Sequence, residues 1–311
     1  MTTRRHLISS SMGVLAGAAL SACGGAEAAE DKPAFVLVHG AWHGAWSYDY
    51  VIPELAALGF AAVSVDLPGH GLDARFPASY FHRPIDSAAF AVEPSPVRAV
   101  TVEQSADAVI AVIDKLREGG HSKVILVGHS MGGVTITRVA EKVPTKLSAV
   151  VYLTAFMLPD GQTVLDAAGR PENSTSEVGA LYLSDPVAAG AVRIDPRSAD
   201  AAYRAKCKSA LYSDLTQEQF EAVLNLLTPD EPALMGVTPT VRTTANWGGV
   251  RRHFIKCLQD RTIPPALQQW FIDQADAFSP ANRTIVHTLD SSHSPFVSMP
   301  AQLARALAKA A

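Results

Sequence analysis

Cysteine is nearly absent from this chain: Cys23, Cys207 and Cys257 are the three in 311 residues. They are too few and too scattered for a disulfide framework or a cysteine-rich zinc site, and isolated cysteines usually serve as small buried apolar residues. Charge is sparse too, at 18% of residues, with 26 Lys+Arg against 30 Asp+Glu and no basic run after the first few positions. The electrostatic footprint of phosphate-backbone binding is missing, so no nucleic-acid partner is expected. No two histidines share a predicted helix at i, i+4, which argues against a metal site, and no cofactor motif is present. No internal repeat stands out. What remains is an apolar chain, 48% hydrophobic and long enough to bury one sizeable core.

The N-terminus reads as a targeting segment. Residues 1–22 carry Arg4 and Arg5 and no acidic residue, followed by a modest apolar stretch from Met12 to Ala22 broken by Gly13 and Gly17. That stretch is about half the roughly 20 residues of a membrane-spanning helix, so an export signal is expected rather than a transmembrane anchor. Thr3-Arg4-Arg5-His6-Leu7-Ile8 resembles a twin-arginine signal, and Leu20-Ser21-Ala22-Cys23 resembles a bacterial lipobox. The expectation is a lipidated Cys23, a tether over 23–32, and an exported protein in the periplasm or held at a membrane by its lipid. Ordinary cleavage around Ala26 to Ala29, with Cys23 discarded, is the alternative.

Beyond the tether, Phe35-Val36-Leu37-Val38 is a continuous β-branched and apolar run, the pattern of a strand buried on both faces. It recurs at Ala61 to Val65, Val124 to Val127, Ala149 to Leu153, Phe254 to Cys257 and Thr284 to Leu289. Helical patterns fall between and after them, at Tyr48 to Leu58, Val102 to Leu116, Gly132 to Lys142, Pro265 to Ala277 and Ala301 to Ala310. Alternation of this kind predicts an α/β fold, with a mainly parallel sheet covered by helices on both faces. Two stretches break the rhythm. Leu72 to Val100 is Pro-rich and irregular, too long for a plain connection and suited to the wall of a site. From 158 to 246 no buried strand is predicted, but a helix is, from Leu215 to Leu227 with Asp214 as its cap. This second stretch is read as a lid, leaving 33–157 and 247–311 as the core, with Leu224, Leu226, Leu227 and Met235 as apolar side chains available to face a ligand.

Gly128-His129-Ser130-Met131-Gly132 follows the strand Val124 to Val127 and leads into a helix. A serine at such a corner is forced into a strained elbow, with glycines two positions either side so that the backbones pass without Cβ clashes. The helix start adds an N–H and a positive dipole end for a developing oxyanion. A serine needs a base, and the base an orienting acid. His293, in the loop Asp290-Ser291-Ser292-His293-Ser294-Pro295, is the candidate base; His287 lies inside a strand pattern and reads as structural. Asp260, after the strand Phe254 to Cys257, is the favoured acid, with Asp290 and Asp160 as alternatives. The Met131 and Ala41 amides are the candidate oxyanion donors, with Gly40 allowing close backbone approach and Trp42, His43 and Trp46 near the pocket. Asp66-Leu67-Pro68-Gly69-His70-Gly71 reads as a structural turn.

His39-Gly40-Ala41-Trp42-His43-Gly44-Ala45-Trp46, Asp66 to Gly71, Gly128 to Gly133 and Asp290 to Pro295 together resemble the α/β-hydrolase superfamily. Within it they are similar to the hydroxynitrile lyase and plant methyl esterase branch with its bacterial esterase relatives. The resemblance covers nearly all of Pro33 to Ala310 apart from the lid. It implies a helical lid inserted after the sixth strand, a carboxylesterase acting on small-molecule esters, and a triad of Ser130, Asp260 and His293. The lyases of that branch carry threonine where Gly40 stands here and lysine after the histidine, where Ser294 stands, so the resemblance implies an esterase rather than a lyase. A hydrolase-like binding protein is the remaining alternative.

Overall fold

Every residue of Ala34–Val38 (β1) is apolar because both faces of the strand are covered. Phe35 and Leu37 join one hydrophobic cluster, with Tyr48, Leu55, Phe296 and Leu307, while Val36 and Val38 join another, with Val109, Ile136, Val139 and Phe271. The period-two alternation of a pleated strand thus sorts one continuous apolar run onto two cores. The computed structural model describes residues 32–311; the expected export signal, Cys23 and all of the expected tether but its last residue lie outside them.

The main sheet adds Ala62–Val65 (β2), Val124–His129 (β3), Leu147–Leu153 (β4), Arg252–Cys257 (β7) and Ile285–Leu289 (β8), in the order β2-β1-β3-β4-β7-β8. Every pairing within it is parallel. The last strand departs from the fully buried pattern expected of it: Ile285 and Val286 are exposed, because β8 lies at the sheet edge. The helix Val102–Glu118 buries Val102, Ala106, Val109 and Ile113 along one stripe and starts from a capping box, in which Thr101 Oγ1 accepts from Gln104 N–H at 3.2 Å and Gln104 Oε1 from Thr101 N–H at 3.0 Å.

The excursion leaves the sheet after β4, the fourth of its six strands in chain order, rather than after a sixth. Among the described residues no strand precedes β1, so the count runs two short of the expected one. Two further expectations for the excursion are corrected. Its predicted helix is shorter, Gln217–Leu224, and is capped by Thr216 in a second capping box with Gln219 instead of by Asp214. It also contains the helix Ala201–Leu211 and an antiparallel strand pair, Ala191–Arg193 (β5) with Asp230–Pro232 (β6). These three-residue strands carry no periodic apolar signal. Their cross-strand neighbours Arg193 and Asp230 are instead a buried bidentate ion pair, Nε to Oδ1 at 2.6 Å and Nη2 to Oδ2 at 2.8 Å. Of the lid's apolar side chains, Leu224 and Leu227 pack with Trp42 in a cluster joining lid to core and Met235 is buried in the core, while Leu226 is exposed.

One buried contact latches the core turn at Asp66 to Gly71 onto β6: His70 Nε2 lies 2.9 Å from Glu231 Oε2, and His70 Nδ1 faces the Pro68 carbonyl at 3.3 Å. Both ring nitrogens face acceptors, which suits the imidazolium. Burial alone would lower its pKa, but the Glu231 carboxylate outweighs that and holds His70 above its ordinary value. A raised folded-state pKa contributes stability that is complete below the free imidazole's pKa of about 6.5 and declines as pH climbs through the raised value. The urea midpoint of the wild type should therefore fall between pH 6 and 9 more steeply than that of His70→Gln; parallel pH profiles would refute the latch.

Candidate active site

β3 ends in Gly128-His129, and Ser130 takes a backbone φ of +52°, in the left-handed region that a side chain rarely occupies. The helix Gly132–Lys142 starts immediately afterwards. The flanking glycines are sterically required. A Cβ on Gly132 would sit 2.5 Å from the His39 carbonyl oxygen, and one on Gly128 2.8 Å from the Gly132 oxygen. Gly40 is just as constrained, since a Cβ there would lie 2.7 Å from Ser130 Cβ. The loop after β1 therefore runs in backbone contact with the elbow.

His293 and Asp260 come together as their chain positions suggested: His293 Nδ1 donates to Asp260 Oδ2 at 2.7 Å, with both residues buried. A carboxylate only accepts, so the proton sits on Nδ1 and leaves Nε2 with its lone pair free to act as a base. Asp260 is held from every side. Its Oδ1 accepts from the Thr262 and Ile263 amides at 2.7 and 2.9 Å, and its Oδ2 also accepts from Thr154 Oγ1. The other candidate acids lie elsewhere. Asp290 accepts from the Gln259 side chain on the surface, and Asp160 from the Arg242 amide. The histidine loop is tied to the elbow itself, because His129 Nε2 donates to the His293 carbonyl at 2.8 Å.

The Ala41 amide is aimed by what holds its neighbours. The Gly40 carbonyl accepts from His39 Nδ1 at 2.8 Å and from the His43 amide at 3.3 Å. In a trans peptide the Ala41 N–H must then point the opposite way. Among the described residues, neither the Ala41 nor the Met131 N–H donates to a protein acceptor. His39 completes its neutral form by accepting the Leu67 amide on Nε2 at 3.1 Å. Burial pushes His39 and His129 well below the ordinary histidine range and His43 down to about 3. These three imidazoles are neutral hydrogen-bonding parts, not bases in waiting.

Trp42 serves the lid: its indole Nε1 donates to the Val192 carbonyl at 2.9 Å, and its own carbonyl accepts from the Thr228 amide at 2.8 Å. Trp46 lines an open cleft of about 890 Å³ with Phe76, Tyr80 and Phe81 of the irregular 72–100 stretch and Leu226 and Leu227 of the lid. Neither Ser130 nor His293 lines that cleft. Three contributors escaped sequence reasoning. Thr154 reaches Asp260 from the end of β4, while Tyr212 and Asp214 reach the site from the lid, Tyr212 Oη lying 2.6 Å from His43 Nε2. No local signal marks them, since their partners lie 78 to 169 positions away. Cys207 and Cys257 are both free and buried, and burial pushes the Cys207 thiol up to about 11.

Comparison with known proteins identifies the family. The chain is 29% identical over 283 residues to Methylesterase 1 of Arabidopsis thaliana, covering 88% of this chain and 93% of that protein. It is 28% identical to pheophorbidase of Raphanus sativus, covering 90% and 95% respectively. A solved pyrethroid hydrolase from Sphingobium faniae JZ-2 shares the fold, with a TM-score of 0.68 at 23% identity over 89% of this chain and 96% of that one. Residues 35–306 match the alpha/beta hydrolase family, and with that span of match the chain belongs to it.

Proposed function

We propose that this protein is a serine carboxylesterase that hydrolyses small or medium esters through an acyl-enzyme. The observation that carries the reading is the buried His293–Asp260 hydrogen bond of 2.7 Å, on a loop that His129 ties to the strand-to-helix elbow where Ser130 is held at φ +52°. The names of its relatives, a methylesterase among them, support an ester as substrate. In the first half-reaction His293 Nε2 takes the Ser130 proton as Oγ attacks the ester carbonyl, and the Ala41 and Met131 amides receive the oxyanion. The tetrahedral intermediate collapses, and His293 returns the proton to the departing alcohol. Water, deprotonated by the same nitrogen, then attacks the acyl-enzyme and releases the carboxylic acid. Asp260 keeps the imidazole in the right tautomer and stabilises its cation. Gly40 and Trp42 form part of the wall around the acyl group, Gly40 by leaving space beside Ser130.

Turnover of a nitrophenyl ester by the purified protein should fall by about three or more orders of magnitude in Ser130→Ala and in His293→Ala, because triad members act as a unit. Asp260→Asn should cost a factor of the same order, whereas Asp290→Asn should stay near wild type. The reverse ranking of the two aspartates would overturn the assignment.

Hydroxynitrile cleavage must stabilise departing cyanide, and the residue after His293 is Ser294, neutral and fully buried. Assayed side by side, mandelonitrile should release no cyanide at a rate comparable with ester hydrolysis; matching rates would make the protein a lyase.

We further propose export and lipid anchoring at Cys23, on the strength of the twin-arginine and lipobox-like runs in residues 1–23. No helix among the described residues is long and apolar enough to cross a membrane. Lipid chains contribute roughly 0.8 kcal/mol per buried methylene, so two or more would hold the protein at a surface. Fractionation of a bacterial host should find the wild type with membranes and Cys23→Ser in the soluble fraction; a soluble wild type beginning near Ala29 by intact mass would show simple secretion.

A further inference from the structure

The end of the helix Ala201–Leu211 and the turn that leads to Gln217–Leu224 touch three of the four loops of the candidate active site through alternate residues. The Ala210 carbonyl accepts from Thr262 Oγ1 at 2.8 Å, and the Thr262 amide in turn donates to Asp260. Tyr212 Oη lies 2.6 Å from His43 Nε2. The His43 ring must carry its proton on Nδ1, because that nitrogen faces the Ala41 carbonyl at 2.7 Å, so Nε2 accepts and the tyrosine donates. Asp214 accepts from Ser292 twice, from the amide at 3.0 Å and from Oγ at 2.5 Å, one residue before His293. Leu211, Tyr212 and Leu215 are buried in the cluster that includes Ala41 and Trp42, so the segment is pressed against the oxyanion loop by packing as well. Ser130 and His293 are only 6% and 1% exposed.

We propose that residues 210–214 are a positioning brace: Tyr212 sets the Ala41 amide through His43, and Asp214 sets the His293 loop through Ser292. The inference deepens the esterase reading and rests on it for its kinetic consequences. Both supports lie within three residues of one turn. Tyr212 and Asp214 act through other groups and take no part in bond making.

The test uses the full chain and three variants. Tyr212→Phe removes only the hydroxyl, and misaiming an oxyanion donor should cost less than the factor of about 100 to 1,000 seen when one is deleted. We expect kcat to fall about tenfold or somewhat more with KM within about twofold, and the affinity for a trifluoromethyl ketone, which forms a tetrahedral adduct, to fall in parallel. Asp214→Ala should lower kcat similarly, and Asp214→Asn, which keeps an acceptor oxygen for Ser292, should recover most of it. Unchanged kcat in Tyr212→Phe and Asp214→Ala, beside a Ser130→Ala that is dead, would overturn the brace and leave the esterase standing; losses that only track a lower melting temperature would also overturn it. Should the wild type hydrolyse no ester, amide hydrogen exchange still decides. Tyr212→Phe should speed exchange in residues 40–43 and Asp214→Ala in residues 291–293, and unaltered protection of both loops would refute the brace.

Discussion

Backbone contact between the loop after β1 and the turn after β3 is the constraint on which the rest of the molecule depends. Gly40 and Gly132 each sit where a Cβ would overlap the opposing loop, at 2.7 Å from Ser130 Cβ and 2.5 Å from the His39 oxygen respectively. Such contact is possible only because β1 and β3 are neighbours in a parallel sheet, from Ala34↔Val124 to Val38↔Gly128, and so deliver both loops to the same end. With the loops that close, the chain turns the corner at Ser130 in the left-handed conformation. The strain is held by two fully buried strands, each packed on both faces.

Around this contact the protein places neutral polar groups in place of charge. His39, His43 and His129 are buried, uncharged and hydrogen-bonded to main chain, and between them they orient the Gly40 carbonyl, the Ala41 carbonyl and the His293 carbonyl. Ionising any of them would require charging a desolvated ring among its own kind, which is why burial depresses all three. The two oxygens of Asp260 are satisfied by two amides, a hydroxyl and the His293 ring. A carboxylate so held cannot rotate away, and the imidazole it grips keeps one tautomer.

The lid is fastened by contacts of a different kind. Its strand pair is held internally by Arg193 and Asp230, and it meets the core through His70–Glu231, the Trp42 indole and the buried leucines around Tyr212. Several of these fastenings end on the same short stretch, 40–43, that carries the candidate oxyanion donor. Core and lid are therefore not independent layers, with chemistry in one and specificity in the other. The aromatic cleft at Trp46, Phe76, Tyr80 and Phe81 opens beside that junction.

Most of the sheet was legible in the chain. Buried parallel strands read as continuous β-branched runs, the long amphipathic helix from Val102 announces itself by its period, and the elbow helix from Gly132 by its period and its glycines. The places of Ser130, His293 and Asp260 just past strands, and the meeting of His293 with Asp260, were legible for a related reason: a sheet of this kind presents the ends of its strands together, so a residue's place just past a strand says where it will lie. The lid was not legible in the same way. Its short strands are held by one buried ion pair, its helix start by Thr216 instead of the nearer-seeming Asp214, and its contacts to the site by Tyr212 and Asp214. Local sequence thus settled the elements whose apolar pattern repeats along the chain. The partnerships Tyr212–His43, Asp214–Ser292 and Thr154–Asp260 were decided only on folding, because each joins single polar atoms from segments 78 to 169 positions apart, and no periodicity records where such atoms will meet.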